Sequence, residues 1–116
     1  MVKSYRFLHD AWPHEYQTPS EKGYPEVFDL MSFWVLFYGG IPIGYTGSLD
    51  MGHFHFVGNT YILPEYRQSG WHSYLLSVRN ANLGLRPKIT VLNPIDGTHM
   101  ANLVKVVTKL GYAPII

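Results

Sequence analysis

The chain has no cysteine. That removes disulfides, thiolate nucleophiles and cysteine-based zinc sites, and leaves the redox compartment unread. Charge is also scarce. Asp, Glu, Lys and Arg make up 15% of the residues and the formal net charge is +1. A balance so close to neutral gives no electrostatic case for nucleic acid or an anionic membrane. Long apolar runs are missing too. The longest, residues 33–38, is far short of the roughly 20 residues that span a bilayer. The first residues, Met1-Val2-Lys3-Ser4-Tyr5-Arg6, carry no apolar stretch of signal-peptide length. The expectation is a soluble, cytoplasmic protein. What the chain has in quantity is aromatic surface, with nine Tyr and three Trp among 116 residues. That argues for an aromatic core or an aromatic face kept for a partner. Hydrophobic residues make up 47%, which suits one globular domain over residues 1–116.

Periodicity and punctuation divide the chain. Residues 3–8 alternate well enough for a first strand. Three prolines and a glycine between positions 10 and 25 argue against a long helix there. Residues 32–38 read as a strand, and Gly39-Gly40 as a tight hairpin turn in which both residues accept positive φ. Residues 41–50 return, Met51-Gly52 turns the chain, and 53–63 form a third strand of an antiparallel meander. Residues 71–83 have helical spacing, with Trp71, Tyr74, Leu75 and Val78 on one face and Gly84 as the stop. Residues 88–92 follow as a strand parallel to the one before the helix. A second helix, capped near Asp96 or Thr98, carries Met100, Leu103, Val104, Val107 and Leu110 as its apolar stripe and ends at Gly111. Residues 112–116 are a possible last strand. The fold class is α/β (α+β), a meander followed by β-α-β-α-β in a mixed sheet.

The most informative stretch is Asn59-Thr60-Tyr61-Ile62-Leu63-Pro64-Glu65-Tyr66-Arg67-Gln68-Ser69-Gly70-Trp71-His72-Ser73. An apolar strand feeds a helix start through a loop with Arg67 and Gly70. The first N–H groups of a helix are unpaired and sit at the positive end of its dipole, so this junction suits an anion. The run Pro64, Arg67, Gly70 resembles the acetyl-CoA signature of the GNAT superfamily of N-acetyltransferases. Lys109-Leu110-Gly111-Tyr112 resembles the end of that family's last helix. The resemblance spans about residues 32–112, in the family's order of elements. Two departures accompany it: His72 stands where the family has a second small residue, and Val107 where it often has a Tyr that protonates the leaving thiolate.

The resemblance implies acetyl-CoA as cosubstrate and a small or protein amine as acceptor. It implies that the amides of Gln68, Ser69, Gly70, Trp71, His72 and Ser73, with Arg67, hold the pyrophosphate. It also implies that the backbone at Ile62 and Leu63 pairs with the pantetheine arm; with the family's Tyr absent, Asn93, Asn102 or His99 is expected to contact the cosubstrate instead. The strand splay this requires is expected from a bulge at Gly58. On simple alternation His53, His55, Val57, Asn59 and Tyr61 share one face, while Phe54, Phe56, Thr60 and Ile62 form the core face. His55 as base and Asn59 as a water-positioning group are therefore the candidate catalytic residues.

Two other readings use the same residues. Gly47 followed by His53-x-His55 looks like the opening of the cupin metal motif, and two His on one strand face can chelate a divalent ion. Alternatively, a GNAT-like chain this short can act as a non-catalytic binding or assembly module, with its open sheet edge pairing to a partner or a second copy.

Overall fold

A computed structural model of the chain describes residues 1–13, 30–90 and 100–113. Five strands form one sheet in the order β1-β2-β3-β4-β5. They are β1 (Val2–Tyr5), β2 (Ser32–Tyr38), β3 (Ile41–Asp50), β4 (His55–Ile62) and β5 (Lys88–Ile89). The first four pair antiparallel and β5 pairs parallel to β4. Helix α1 (Trp71–Leu83) connects β4 to β5, and α2 (Met100–Lys109) follows. The expected mixed sheet with its meander and β-α-β-α succession is the fold observed.

The local reasons are legible. Gly39 and Gly40 both have positive φ, 57° and 80°, the pair of values that lets a two-residue turn follow the twist of β2 and β3. The run Phe33-Trp34-Val35-Leu36 is apolar at every position because β2 is covered on both faces. Phe33 and Val35 join Leu8, Trp12, Met31 and Tyr45 on one side. Trp34 and Leu36 join Ile43, Ile62 and Leu75 of α1 on the other. Trp12 meets the Tyr45 ring edge-on at 4.9 Å, a geometry favoured by aromatic quadrupoles.

Three expectations need correction. The first strand ends at Tyr5, and Leu8–Asp10 forms a 3-10 turn. That turn swings Leu8 into the core, where it is buried. The buried face of α1 is Leu75, Leu76 and Arg79, while Tyr74 is exposed. Tyr74 packs on Trp71, and Trp71 on Tyr38 of the β2–β3 hairpin, so these rings flank the helix rather than lie beneath it. The third correction concerns β4. Tyr45 faces Tyr61, but Gly47 faces Gly58, so Thr46 alone opposes the pair Asn59–Thr60. This is a β-bulge of one extra residue. It falls where a bulge was expected, but the positive φ belongs to Asn59, at 54°, and not to Gly58. The second half of the possible strand 88–92 and most of 112–116 lie outside the described residues.

Candidate active site

Loop and helix start form the first part of the site. Leu63 leads into a 3-10 turn, Pro64–Tyr66, which ends at Arg67. Gln68 and Gly70 both adopt positive φ, 61° and 85°. Two left-handed residues in three turn successive N–H groups toward one side, the kind of concavity that holds anions. The Gly70 carbonyl accepts from the Tyr74 N–H at 3.1 Å, starting α1. The amides of Gln68 to Ser73 have no backbone partner among the described residues. A Cβ placed at Gly70 would meet nothing within 4 Å, so the mouth of the loop is open space.

The side chains brace the loop more than they reach out of it. Arg67 Nε donates to the Ile62 carbonyl at 2.8 Å, and its guanidinium lies over the Tyr61 ring at 5.1 Å. Ser69 Oγ donates to the Tyr66 carbonyl at 2.8 Å. The Trp71 ring is turned onto Tyr38 of the hairpin, so only its amide is left on the loop. His72 is half-buried, and burial together with the charges of Arg79 and Arg67 pushes its pKa below the ordinary value. It stands in the free protein as a neutral imidazole, and the positive character of the loop comes from the amides, the helix dipole and the arginines.

The second part of the site is the edge of β4. Strand β5 pairs with β4 only at His55–Lys88 and Phe56–Ile89. From Val57 to Ile62 the β4 edge has no neighbouring strand among the described residues. An open strand edge presents N–H and C=O groups to any extended ligand. This edge contains the bulge and runs directly to the anion loop. Ile62 and Leu63 lie at that junction, although the Ile62 carbonyl is already held by Arg67.

The expected catalytic pair is not brought together. Because of the bulge, His55 and Val57 lie on the α1 face while Asn59 and Tyr61 lie on the other. Thr60 Oγ1 meets Thr46 Oγ1 at 2.7 Å on the α1 side. Asn59 Nδ2 contacts Met31 Sδ at 3.0 Å on the opposite side. His55 is buried at the far end of β4, with Arg86 2.7 Å from its Nε2. Arg86 also grips Asp50 with two bonds of 2.9 and 3.0 Å. The arginine holds Asp50 at about 2, against an ordinary 3.8. Burial, and then Arg86, push the His55 pKa down. Its Nδ1 is buried, with the Leu83 backbone beside it and no hydrogen bond of ordinary geometry. A cleft of about 520 Å³ opens here, lined in part by Ser4, Arg6, Ser32, Ser48, Asp50 and His55. It lies at the opposite end of β4 from the anion loop. His53 sits in the bend before β4, so it shares no strand face with His55, and the two-histidine metal reading loses its geometry. Among the described residues no three His, Asp or Glu side chains cluster to hold a metal.

Val107 is half-buried in α2. Its carbonyl accepts from the Tyr112 amide at 3.0 Å. Asn93 and His99 lie outside the described residues, and of Asn102 only the backbone, in α2, is described.

No family model matches this sequence, and no curated protein matches it. Solved structures do. A CoA complex of an aminoglycoside N-acetyltransferase superposes with a TM-score of 0.65 at 16% identity, covering 100% of this chain and 96% of that one. A ribosomal-protein alanine N-acetyltransferase from Escherichia coli gives 0.71 at 14% identity, covering 100% and 80%. A GNAT-family protein from Streptococcus pneumoniae gives 0.65 at 13%, covering 100% and 95%. The chain therefore has the fold of the GNAT acetyltransferases, as the order of elements implied.

Proposed function

We propose that this chain is an acetyl-CoA-dependent N-acetyltransferase that acts on a primary amine. The observation that carries the reading is a juxtaposition at one end of β4: a strand edge with a bulge, open among the described residues, runs straight into a loop whose amides have no backbone partner among them, at a helix start. A cosubstrate with a pyrophosphate at one end and an amide-bearing arm at the other matches both halves. The solved structures add support, since one relative by fold, an aminoglycoside N-acetyltransferase, is seen with CoA in two crystal forms and with a CoA bisubstrate analogue in a third structure.

In this reading the amides of Gln68 to Ser73 bind the pyrophosphate, and Arg67 holds the loop in shape and adds positive charge. The β4 edge from Val57 to Ile62 binds the arm through main-chain hydrogen bonds, leaving N–H groups beside the bulge for the thioester oxygen. Acetyl-CoA supplies an activated acyl carbon. The amine nitrogen attacks that carbon, the C–S bond breaks, and the amine proton leaves to a base or to water. This reading gives Asn59, on the face away from α1, the ordering of that water. His55 serves elsewhere, in the Asp50–Arg86 cluster. A thiol with a reference pKa near 8.5 departs without full protonation, so the absence of a phenol at Val107 slows the reaction without forbidding it.

The test is thermal stability against acetyl-CoA. A ligand at 100 times its Kd adds about 2.7 kcal/mol, a rise of several degrees for a domain of this size. No shift at millimolar acetyl-CoA would sink the proposal. Binding without turnover over a panel of amines would select the non-catalytic module instead.

A further inference from the structure

Arg79 is a charge in the wrong place for a surface helix. It lies on the face of α1 that packs on the sheet, and it is 2% exposed. Nε donates to Asn80 Oδ1 at 3.0 Å, one terminal nitrogen to Thr46 Oγ1 at 2.8 Å, and the other to the Tyr112 hydroxyl at 3.3 Å. All three acceptors are neutral, and no carboxylate is among its described partners. Burial lowers its pKa, but a guanidinium stays charged at any working pH. Burying an unpaired charge costs stability, and an apolar side chain of similar volume is often neutral or better. The arginine therefore calls for a reason other than packing.

Its hydrogen bonds supply one. Thr46 passes the contact on: its Oγ1 lies 2.7 Å from Thr60 Oγ1. Thr46 is the one β3 residue that opposes the bulge pair Asn59–Thr60. A bulge leaves a residue out of the backbone ladder, so side-chain bonds decide how firmly it is held. Through one guanidinium, α1, β3, the bulge in β4 and the segment after α2 are tied at a single point.

We infer that Arg79 is a positioning residue for acyl transfer, fixing the β4 bulge through Thr46 and Thr60. The inference rests on the acetyltransferase reading for its purpose, and on the bond network alone for its geometry. Methionine at this position keeps volume and removes charge and donors. Thr46→Val removes the relay and leaves Arg79 in place. Lysine restores a charged donor.

The experiment measures amide hydrogen exchange along β4 in Arg79→Met, Thr46→Val and Arg79→Lys, with acetyl-transfer kinetics beside it. In the first two variants exchange from Val57 to Tyr61 rises about tenfold, while Val35 and Leu36 in β2 hold their wild-type rates. In the same variants kcat falls roughly tenfold, and in Thr46→Val, which keeps the Arg79 charge near the loop, KM for acetyl-CoA stays within about threefold. Arg79→Lys recovers part of both. Wild-type exchange in β4 of both disrupting variants would overturn the inference. So would acceleration spread evenly over the whole sheet with a fall in melting temperature, which marks a strut for the fold at large. If β4 responds but the wild type neither binds nor turns over acetyl-CoA, the acyl-transfer reading falls, and with it the catalytic purpose given to Arg79.

Discussion

The two ends of β4 handle charge in opposite ways. At the closed end, where β5 joins, Asp50, Arg86 and His55 form a compensated cluster, and the carboxylate and guanidinium meet with two bonds. At the open end, Arg67, His72 and Arg79 are near enough for both arginines to lower the imidazole pKa. No carboxylate pairs with any of the three among the described residues. The loop amides beside them are unpaired as well. A chain selected only to fold would neutralise both ends. The pairing instead stands where two strands must stay joined, and the unpaired positive character stands where the strands part.

The largest test of this contrast uses two glycines in matched settings. Gly70 and Gly52 have φ of 85° and 88°, and neither has an atom within 4 Å of a built Cβ. Glutamate at either position carries the same backbone strain, about 1 kcal/mol. Gly70→Glu also puts a negative charge into the anion loop. Acetyl-CoA affinity should fall roughly 100-fold or more, close to 3 kcal/mol, while Gly52→Glu keeps the wild-type thermal shift. Equal responses in calorimetric titration would erase the distinction between the two ends.

Both ends carry a depressed histidine, His55 at the closed end and His72 at the open end, but only the closed end adds a depressed carboxylate. His55 titrates in the folded protein below its ordinary 6.5, so the unfolded chain binds its proton first. Stability from the neutral imidazole is complete above 6.5 and is lost as pH falls from there toward the folded pKa. Asp50, held at about 2 against 3.8, extends the loss through that lower window. Melting temperature should therefore decline as pH drops from 7 to 5 and decline again below 4. His55→Gln should flatten the first decline; an unchanged slope in that variant would assign it to another group.

The smallest effect belongs to Ser69. Its hydroxyl bonds the Tyr66 carbonyl at an exposed site, and such a bond is worth about 0.5–1 kcal/mol. Ser69→Ala should weaken acetyl-CoA by about two- to fivefold. A loss as great as that of Gly70→Glu would make the hydroxyl a ligand contact rather than a brace.

Much of the fold was legible because glycine punctuates it. Ser32–Tyr38, Ile41–Asp50 and Trp71–Leu83 lie where alternation, Gly39-Gly40 and Gly84 placed them. The turn from Pro64 to Gly70 was legible for the same reason, since those two residues fix local backbone geometry with little help from tertiary contacts. What sequence could not give was which way β4 faces after Gly58. Alternation assumes one residue per ladder position, and the bulge breaks that count between Val57 and Tyr61, separating His55 from Asn59. Arg79 was missed because a charged residue on an amphipathic helix reads as solvent-facing. Its partners, Thr46 and Tyr112, are 33 residues away on either side. The one local hint was that its position, four residues after Leu75 and three after Leu76, falls on the apolar stripe.

The extra residue in β4 also changes what a deletion does. In a regular strand one deletion shifts the alternation by one and turns half of the side chains to the other face. Here His55 and Ile62 lie seven positions apart, an odd number, yet both belong to the α1 face. Removing one residue between them, Asn59 above all, leaves six, an even number, so a regular strand keeps both on the α1 face and loses only the bulge. A single deletion should therefore be tolerated at Asn59 far better than within Phe33–Leu36 of β2, where regular alternation is buried on both faces. A length scan along the chain would locate the bulge without a structure.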